Sequence, residues 1–199
     1  MPCVAWPTVT RGLRAAATLG PFPPLSCAPV SLPINTLVFL ATLAAMEGVA
    51  ALVHRYIMHG WGWGWHRSHH EPRHGTFERN DLYAVFFAGI AIGLIYLGFQ
   101  GWHPLEWIGA GMTAYGLLYF VAHDGLVHRR WLFRHAPRSG YLKRLYQAHR
   151  MHHAVEGRHG CVSFGFLWAP KMETLKAELR RLHGGPVRRA SADAEDRAD

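Results

Sequence analysis

Three stretches of this chain are apolar over lengths that suit a lipid bilayer. Ile34 to Val53 is broken only by Asn35, two threonines, Glu47 and a glycine. Such a run reaches across a hydrocarbon core of ~30 Å at ~1.5 Å per helical residue. Leu82 to Phe99 is a second such run, and Leu105 to Val121 a third, slightly shorter, with Glu106 near its start. The link from Gln100 to Pro104 is brief, so the second and third runs read as a transmembrane hairpin. Cys161 to Ala169 is apolar too but too short to cross, and is expected to lie in the interface or to re-enter. Residues 171–183 read as a short surface helix ended by Gly184-Gly185-Pro186. The pattern predicts an all-α fold: an integral membrane helical bundle, with one domain over 34–183.

The flanks read differently. Residues 1–33 are rich in Pro, Ala and Ser, and prolines 21, 23, 24, 29 and 33 interrupt any signal-peptide core, so a flexible extension is expected. Residues 184–199 are rich in Ala, Asp and Arg and read as a disordered tail.

Charge supplies an orientation. Half of the chain is hydrophobic and only 17% is charged, yet the net charge is +8. Long apolar runs beside basic loops fit a multi-pass protein of the inner (cytoplasmic) membrane better than a nucleic-acid binder. Arg55, Arg67, Arg73 and Arg79 lie between the first two runs. Arg129, Arg130, Arg134, Arg138, Lys143, Arg144 and Arg150 follow the third, and the hairpin link holds no Lys or Arg. The first loop and the C-terminal region are therefore expected on the cytoplasmic side, with the N-terminus outside. Cys3, Cys27 and Cys161 make no CxxC spacing and no disulfide framework.

The chemistry lies in the histidines. Ten of the fifteen fall into four clusters, spaced HxxxxH, HxxHH, HxxxxH, HxxHH. They are His54 and His59; His66, His69 and His70; His123 and His128; His149, His152 and His153. Imidazole is the commonest protein metal ligand, and ten are too many for one tetrahedral ion. Two ions sharing one pocket are expected. All four clusters begin at predicted cytoplasmic span ends or lie in cytoplasmic segments, where they can meet at one depth. On a helix the members of HxxHH lie within roughly 60–100° of one another, so each triplet can aim at one pocket. A spacing of five gives roughly 140°. The HxxxxH pairs must then bracket a site, serve different ions, or meet where the helix deforms near Gly60.

Glu47 lies seven residues before His54, on nearly the same helical face. A carboxylate inside a span is expensive and usually functional. It is expected to accept a hydrogen bond from an imidazole and so fix its tautomer; pairing with an arginine is the competing reading. Asp124, beside His123, is the second candidate for that role. His74, His103, His135, His159 and His183 read as surface or interfacial residues, His74 and His159 being nearest the clusters. Trp61, Trp63, Trp65, Phe77 and Tyr83 suit an interfacial aromatic belt better than a substrate slot. An all-imidazole site suits iron or copper as well as zinc, and spacing does not choose between them. Two ions with an open position favour a redox pair that activates O₂. A metal transporter is the competitor, but it needs ligands near the midplane of the spans.

The segments HRYIMHG, HRSHHEP, HDGLVHRR and HRMHH, with HGWGWGWH, NDLYAV, WIGAGMTAYGLLYF and GCVSFGFL between them, carry a resemblance. From about Ile34 to His183 the chain resembles the bacterial carotenoid hydroxylases, the beta-carotene 3-hydroxylase group of the fatty acid hydroxylase superfamily of membrane di-iron enzymes. The resemblance implies that the ten motif histidines hold two non-haem irons. It implies O₂ as co-substrate, with electrons from ferredoxin and NAD(P)H through a reductase. The reaction implied is hydroxylation at C3 of the β-ionone ring, from beta-carotene to beta-cryptoxanthin to zeaxanthin, and from canthaxanthin to astaxanthin. Membrane lipids and a lipid-soluble carotenoid are the partners implied, besides the electron donor. Carotenoid ketolases, fatty-acid hydroxylases and desaturases are the alternatives on the same scaffold.

Overall fold

The computed structural model describes residues 32–184, apart from 73, 74, 132, 134 and 156. The extension expected over 1–33 (all but its last two residues), the tail beyond Gly184, and His74 lie outside the described residues. Every regular element among the described residues is helical. In chain order they are α1 (Leu32–Leu52), the π-helical π1 (Val53–Trp61), α2 (Trp63–His70), α3 (Asp81–Phe99), α4 (Leu105–Tyr119), the π-helical π2 (Phe120–Val127), α5 (Gly140–His152) and α6 (Met172–His183).

The long helices form where the apolar runs lie. Leu32–Trp61 and Asp81–Phe99 are long and apolar enough to cross a membrane. Their outer faces carry uncovered Leu37 and Leu40 on α1 and Val85 and Ile92 on α3. The third run is divided: α4 accounts for its first 15 residues, and the chain then enters π2. α4 packs against both α1 and α3. Glycines make this close approach possible. A Cβ on Gly109 would lie 2.7 Å from the Ala91 carbonyl oxygen, and one on Gly111 would lie 2.8 Å from that of Phe39.

A second layer covers one end of this bundle. Leu145 and Ala148 of α5, Val155, Val162, and Leu175 and Leu179 of α6 form its buried core. The i,i+4 spacing of Leu175 and Leu179 gives α6 its inward stripe, and burying such a side chain contributes about 1.5–3 kcal/mol. α6 stops at Gly184, which takes the left-handed conformation at φ 66°. The apolar segment 161–169 forms neither a span nor a helix. It is an irregular strap between the helical layer and the span ends. The Tyr141 hydroxyl donates to the Leu167 carbonyl, and the Ala169 N–H donates to the Tyr141 oxygen at 3.3 Å. The histidines occupy the junction of the two layers.

Candidate metal centre

Both HxxxxH pairs lie where an α-helix becomes a π-helix. His54 and His59 fall in π1, and His123 falls in π2 with His128 directly after it. The N–H of His128 donates to the His123 carbonyl at 2.9 Å, an i→i+5 bond, as does that of Gly62 to Ile57 at 2.9 Å. Such a bond sets residue i+5 one turn beyond residue i, so the divergence of roughly 140° expected of an α-helix does not occur. The ring centroids of His54 and His59 lie 5.2 Å apart, and those of His123 and His128 4.6 Å apart. After His59 the backbone leaves the helix at Gly60 (φ −103°, ψ −125°), and α2 starts in a new direction.

The HxxHH triplets do not each serve one pocket, which corrects the sequence expectation. His54, His59, His66, His70 and His152 form one group of potential ligands, and His69, His128, His149 and His153 a second. His123 stands beside the second, with its Nε2 3.1 Å from that of His69. The outer members of each triplet stay with their own HxxxxH pair, while the middle member crosses to the other. Helical phase explains this: positions i and i+4 differ by about 40°, whereas i+3 and i+4 differ by about 100°. The centre therefore has a two-fold pattern, each half lending one imidazole to the other.

Hydrogen bonds at Nδ1 set the tautomers. The Nδ1–H groups of His54, His59 and His152 donate to the carbonyls of Phe164, Arg158 and Val162, each at 3.0 Å. Those of His66, His69 and His123 donate to Asn80 Oδ1 at 2.7 Å, Glu78 Oε2 at 2.9 Å and Asp124 Oδ1 at 2.6 Å. A carbonyl or carboxylate oxygen only accepts, so the proton resides on Nδ1 and a bare lone pair on Nε2. These lone pairs face each other at 3.1 Å between His54 and His66, 3.0 Å between His59 and His152, and 3.1 Å between His69 and His123. Paired lone pairs repel unless a cation lies between them. Ligands about 2.1 Å from a metal stand about 3.0 Å apart at right angles but about 3.4 Å apart in a tetrahedron. The donor set thus fits a metal in each group, with more ligands than tetrahedral zinc takes.

Burial keeps six of the imidazoles, those of His66, His69, His70, His149, His152 and His153, neutral, as metal ligation requires. It pushes His66 down to about 3 and His70 to about 4, the Asn80 contact partly offsetting the shift at His66. His69, His149, His152 and His153 are held well below the usual imidazole range, by burial first and then by neighbouring imidazoles. Aromatic rings seal the centre: Phe166 stacks on His54 at 4.9 Å, and Tyr119 on His123 at 4.6 Å.

Among the described residues, Glu47 makes no hydrogen bond to an imidazole. Its carboxylate accepts the backbone N–H groups of Phe166 at 3.0 Å, Leu167 at 3.0 Å and Trp168 at 2.9 Å, and the Tyr115 hydroxyl at 2.7 Å. It anchors the strap from inside α1, and the strap's carbonyls in turn orient His54 and His152. Asp124 does hold His123, and Arg130 braces it at 3.3 Å while gripping both Asp81 oxygens, at 2.9 and 3.0 Å. Sequence reasoning missed Glu78 and Asn80, which precede α3 directly, and the three strap and loop carbonyls, which carry no residue-type signal. Of the five aromatics, Trp63 reaches the centre, 5.2 Å from His59 and 5.3 Å from His70. Trp61, Trp65 and Phe77 are exposed, and Tyr83 is buried with its hydroxyl donating to the Gly62 carbonyl. His103 pairs with Glu106 at 2.6 Å, and His183 contacts the Gly160 carbonyl at 3.1 Å.

The fatty acid hydroxylase family profile matches residues 39–174, a range containing every histidine of both groups. The chain belongs to the fatty acid hydroxylase family. It is 66% identical over 165 residues to a beta-carotene hydroxylase of Pantoea ananas, covering 83% of this chain and 94% of the relative. It is 63% identical over 166 residues to one of Pseudescherichia vulneris, covering 83% and 93%. A chloroplastic beta-carotene 3-hydroxylase 2 of Arabidopsis thaliana is 40% identical over 147 residues, covering 68% of this chain and 48% of the relative. No solved structure matches the chain significantly. Clustered imidazoles at the ends of long apolar helices make this fatty acid hydroxylase family member a membrane protein with a metal site.

Proposed function

We propose that the chain hydroxylates C3 of the β-ionone rings of beta-carotene, giving beta-cryptoxanthin and then zeaxanthin, with canthaxanthin accepted toward astaxanthin. The observation that carries this reading is the 66% identity with a beta-carotene hydroxylase along 94% of that relative. In this reading the ten motif histidines hold two irons. The bound metal pair supplies activation of O₂ for insertion of one oxygen atom into an unactivated C–H bond, chemistry beyond protein acids and bases. Four to five imidazoles per position and separations near 3.0 Å favour iron over tetrahedral zinc.

The chain's own residues contribute position and exclusion. Carbonyls of Phe164, Arg158 and Val162 with the side chains of Asn80, Glu78 and Asp124 lock the imidazoles. Phe166, Tyr119 and Trp63 keep bulk water from the centre. A C40 hydrocarbon reaches the span ends from within the lipid, along the uncovered apolar faces of α1 and α3. Each hydroxylation also consumes two electrons, for which a ferredoxin fed by NAD(P)H through a reductase is the proposed source. The basic loops support a place in the bacterial inner membrane with the centre on the cytoplasmic side. A transporter is disfavoured because the imidazoles gather where the spans end.

Expression in a bacterium accumulating beta-carotene, with pigments resolved by chromatography and mass, tests this. One and then two added oxygens per molecule, with no hydrogen lost, is the expected result. Loss of two hydrogens with each oxygen marks a ketolase. Unchanged pigments beside oxygenated fatty acids refute the carotenoid assignment.

A further inference from the structure

With His123 counted beside its neighbour His69, the two groups of imidazoles are alike in number but not in what stands behind them. In the first group, the acceptors on Nδ1 of His54, His59, His66 and His152 are three backbone carbonyls and the Asn80 amide oxygen, all uncharged. In the second, the acceptors on His69 and His123 are carboxylates: Glu78, whose side chain is 9% exposed, and Asp124, at 12%. Arg130 offsets one charge, but it also grips Asp81. On the first group's side, the Arg55 guanidinium lies 5.5 Å from the Phe164 ring, which itself packs on His54 at 5.4 Å. Glu47 is the carboxylate behind this group, and its hydrogen bonds go to the strap and Tyr115 rather than to an imidazole.

A carboxylate accepting the Nδ1 proton makes the opposite nitrogen a stronger donor, and loss of such a partner typically weakens metal binding 10–100-fold. We infer that the two metal positions are unequal: the one formed by His69, His123, His128, His149 and His153 binds a divalent cation more tightly and fills first. This rests on reading the ten imidazoles as two metal positions. The two-fold histidine pattern hides the asymmetry, because it resides in Glu78 and Asp124 on one side and Asn80 and the carbonyls on the other.

The test is a cobalt(II) titration of the full chain, stripped of metal in detergent, followed by ligand-field absorption and equilibrium dialysis. Two sequential steps, separated about 10–100-fold in affinity, are expected. His153→Ala should remove the tight step and His59→Ala the weak one. Glu78→Gln combined with Asp124→Asn should bring the tight step to the level of the weak one. Asn80→Asp, which breaks no contact, should tighten the weak step by placing a carboxylate on His66. Two equal steps in the unaltered chain, or an Asn80→Asp titration that superimposes on it, would overturn the inference while leaving the two-metal reading in place. Binding of one cobalt or none would sink both.

Discussion

Replacing Glu47 with glutamine should loosen the metal centre through a segment that Glu47 reaches but the metals do not. The carboxylate accepts three strap N–H groups at 2.9–3.0 Å and the Tyr115 hydroxyl at 2.7 Å. Hydrogen bonds to an ionised acceptor are each worth about 1.5–3 kcal/mol. The Trp168 contact is at an exposed position and counts for less. Glutamine keeps one carbonyl oxygen and turns an NH₂ toward the remaining donors, so roughly half of the interaction is lost, about 2–4 kcal/mol. That loss falls on the strap, whose Phe164 and Val162 carbonyls orient His54 and His152. Both belong to the first group, so its metal should dissociate on the order of 10–100-fold more readily, while the second group is little changed. Metal per chain, measured by elemental analysis after dialysis against graded chelator, reads this directly. Tyr115→Phe removes one such contact and should cost about 1.5–3 kcal/mol. A Glu47→Gln protein that keeps its full metal complement and its turnover would show that the strap holds the ligands without this carboxylate. Equal loss from both groups would indicate general unfolding instead.

Other expectations follow from the same contacts. Alanine at any one of the ten motif histidines should abolish or severely reduce hydroxylation, and full pigment conversion by two or more such variants would remove those positions from the ligand set. Gly165→Ala has no room, since its Cβ would lie 2.7 Å from Glu47 Oε1 and 3.1 Å from the Trp168 carbonyl. It should cost about 1–3 kcal/mol by overpacking and mimic Glu47→Gln in chelator sensitivity, whereas wild-type retention would show the strap to be pliant. Acid should destabilise the metal-free protein. Unfolded imidazoles titrate near 6.5, but burial holds His66 near 3 and His70 near 4, so protons bind the unfolded chain first. Stability is complete above pH 6.5 and falls by about 1.4 kcal/mol per pH unit for each such group as pH drops toward 4. A denaturation midpoint unchanged between pH 7 and 5 would contradict this.

The helices and the clustering were legible because they rest on one-dimensional signals. Runs of apolar residues set α1 and α3, and recurrent imidazole spacings marked the centre. What escaped reading depends on backbone detail. Spacing in HxxxxH looks divergent under α-helical geometry and becomes convergent only where the helix widens into a π turn. The crossing of His69 and His152 follows from phase differences of tens of degrees, which matter only once the second helix is in place. Glu47 stands out in the sequence as a functional carboxylate, but its backbone partners lie about 120 residues away in a strap with no periodicity. The carbonyls of Phe164, Arg158 and Val162 act through the backbone, so no side chain could announce them. Asn80 and Glu78 were visible as residues, but the turn before α3 that aims them at His66 and His69 was not.

Everything proposed for this protein depends on a pair of metal ions held by imidazoles where the spans end. Iron content per chain, determined on protein purified from cells actively converting beta-carotene, bears on this most directly. Two irons per chain, with hydroxylation declining in step as they are withdrawn, is the predicted result. Sustained zeaxanthin formation by protein carrying one iron or none would contradict it.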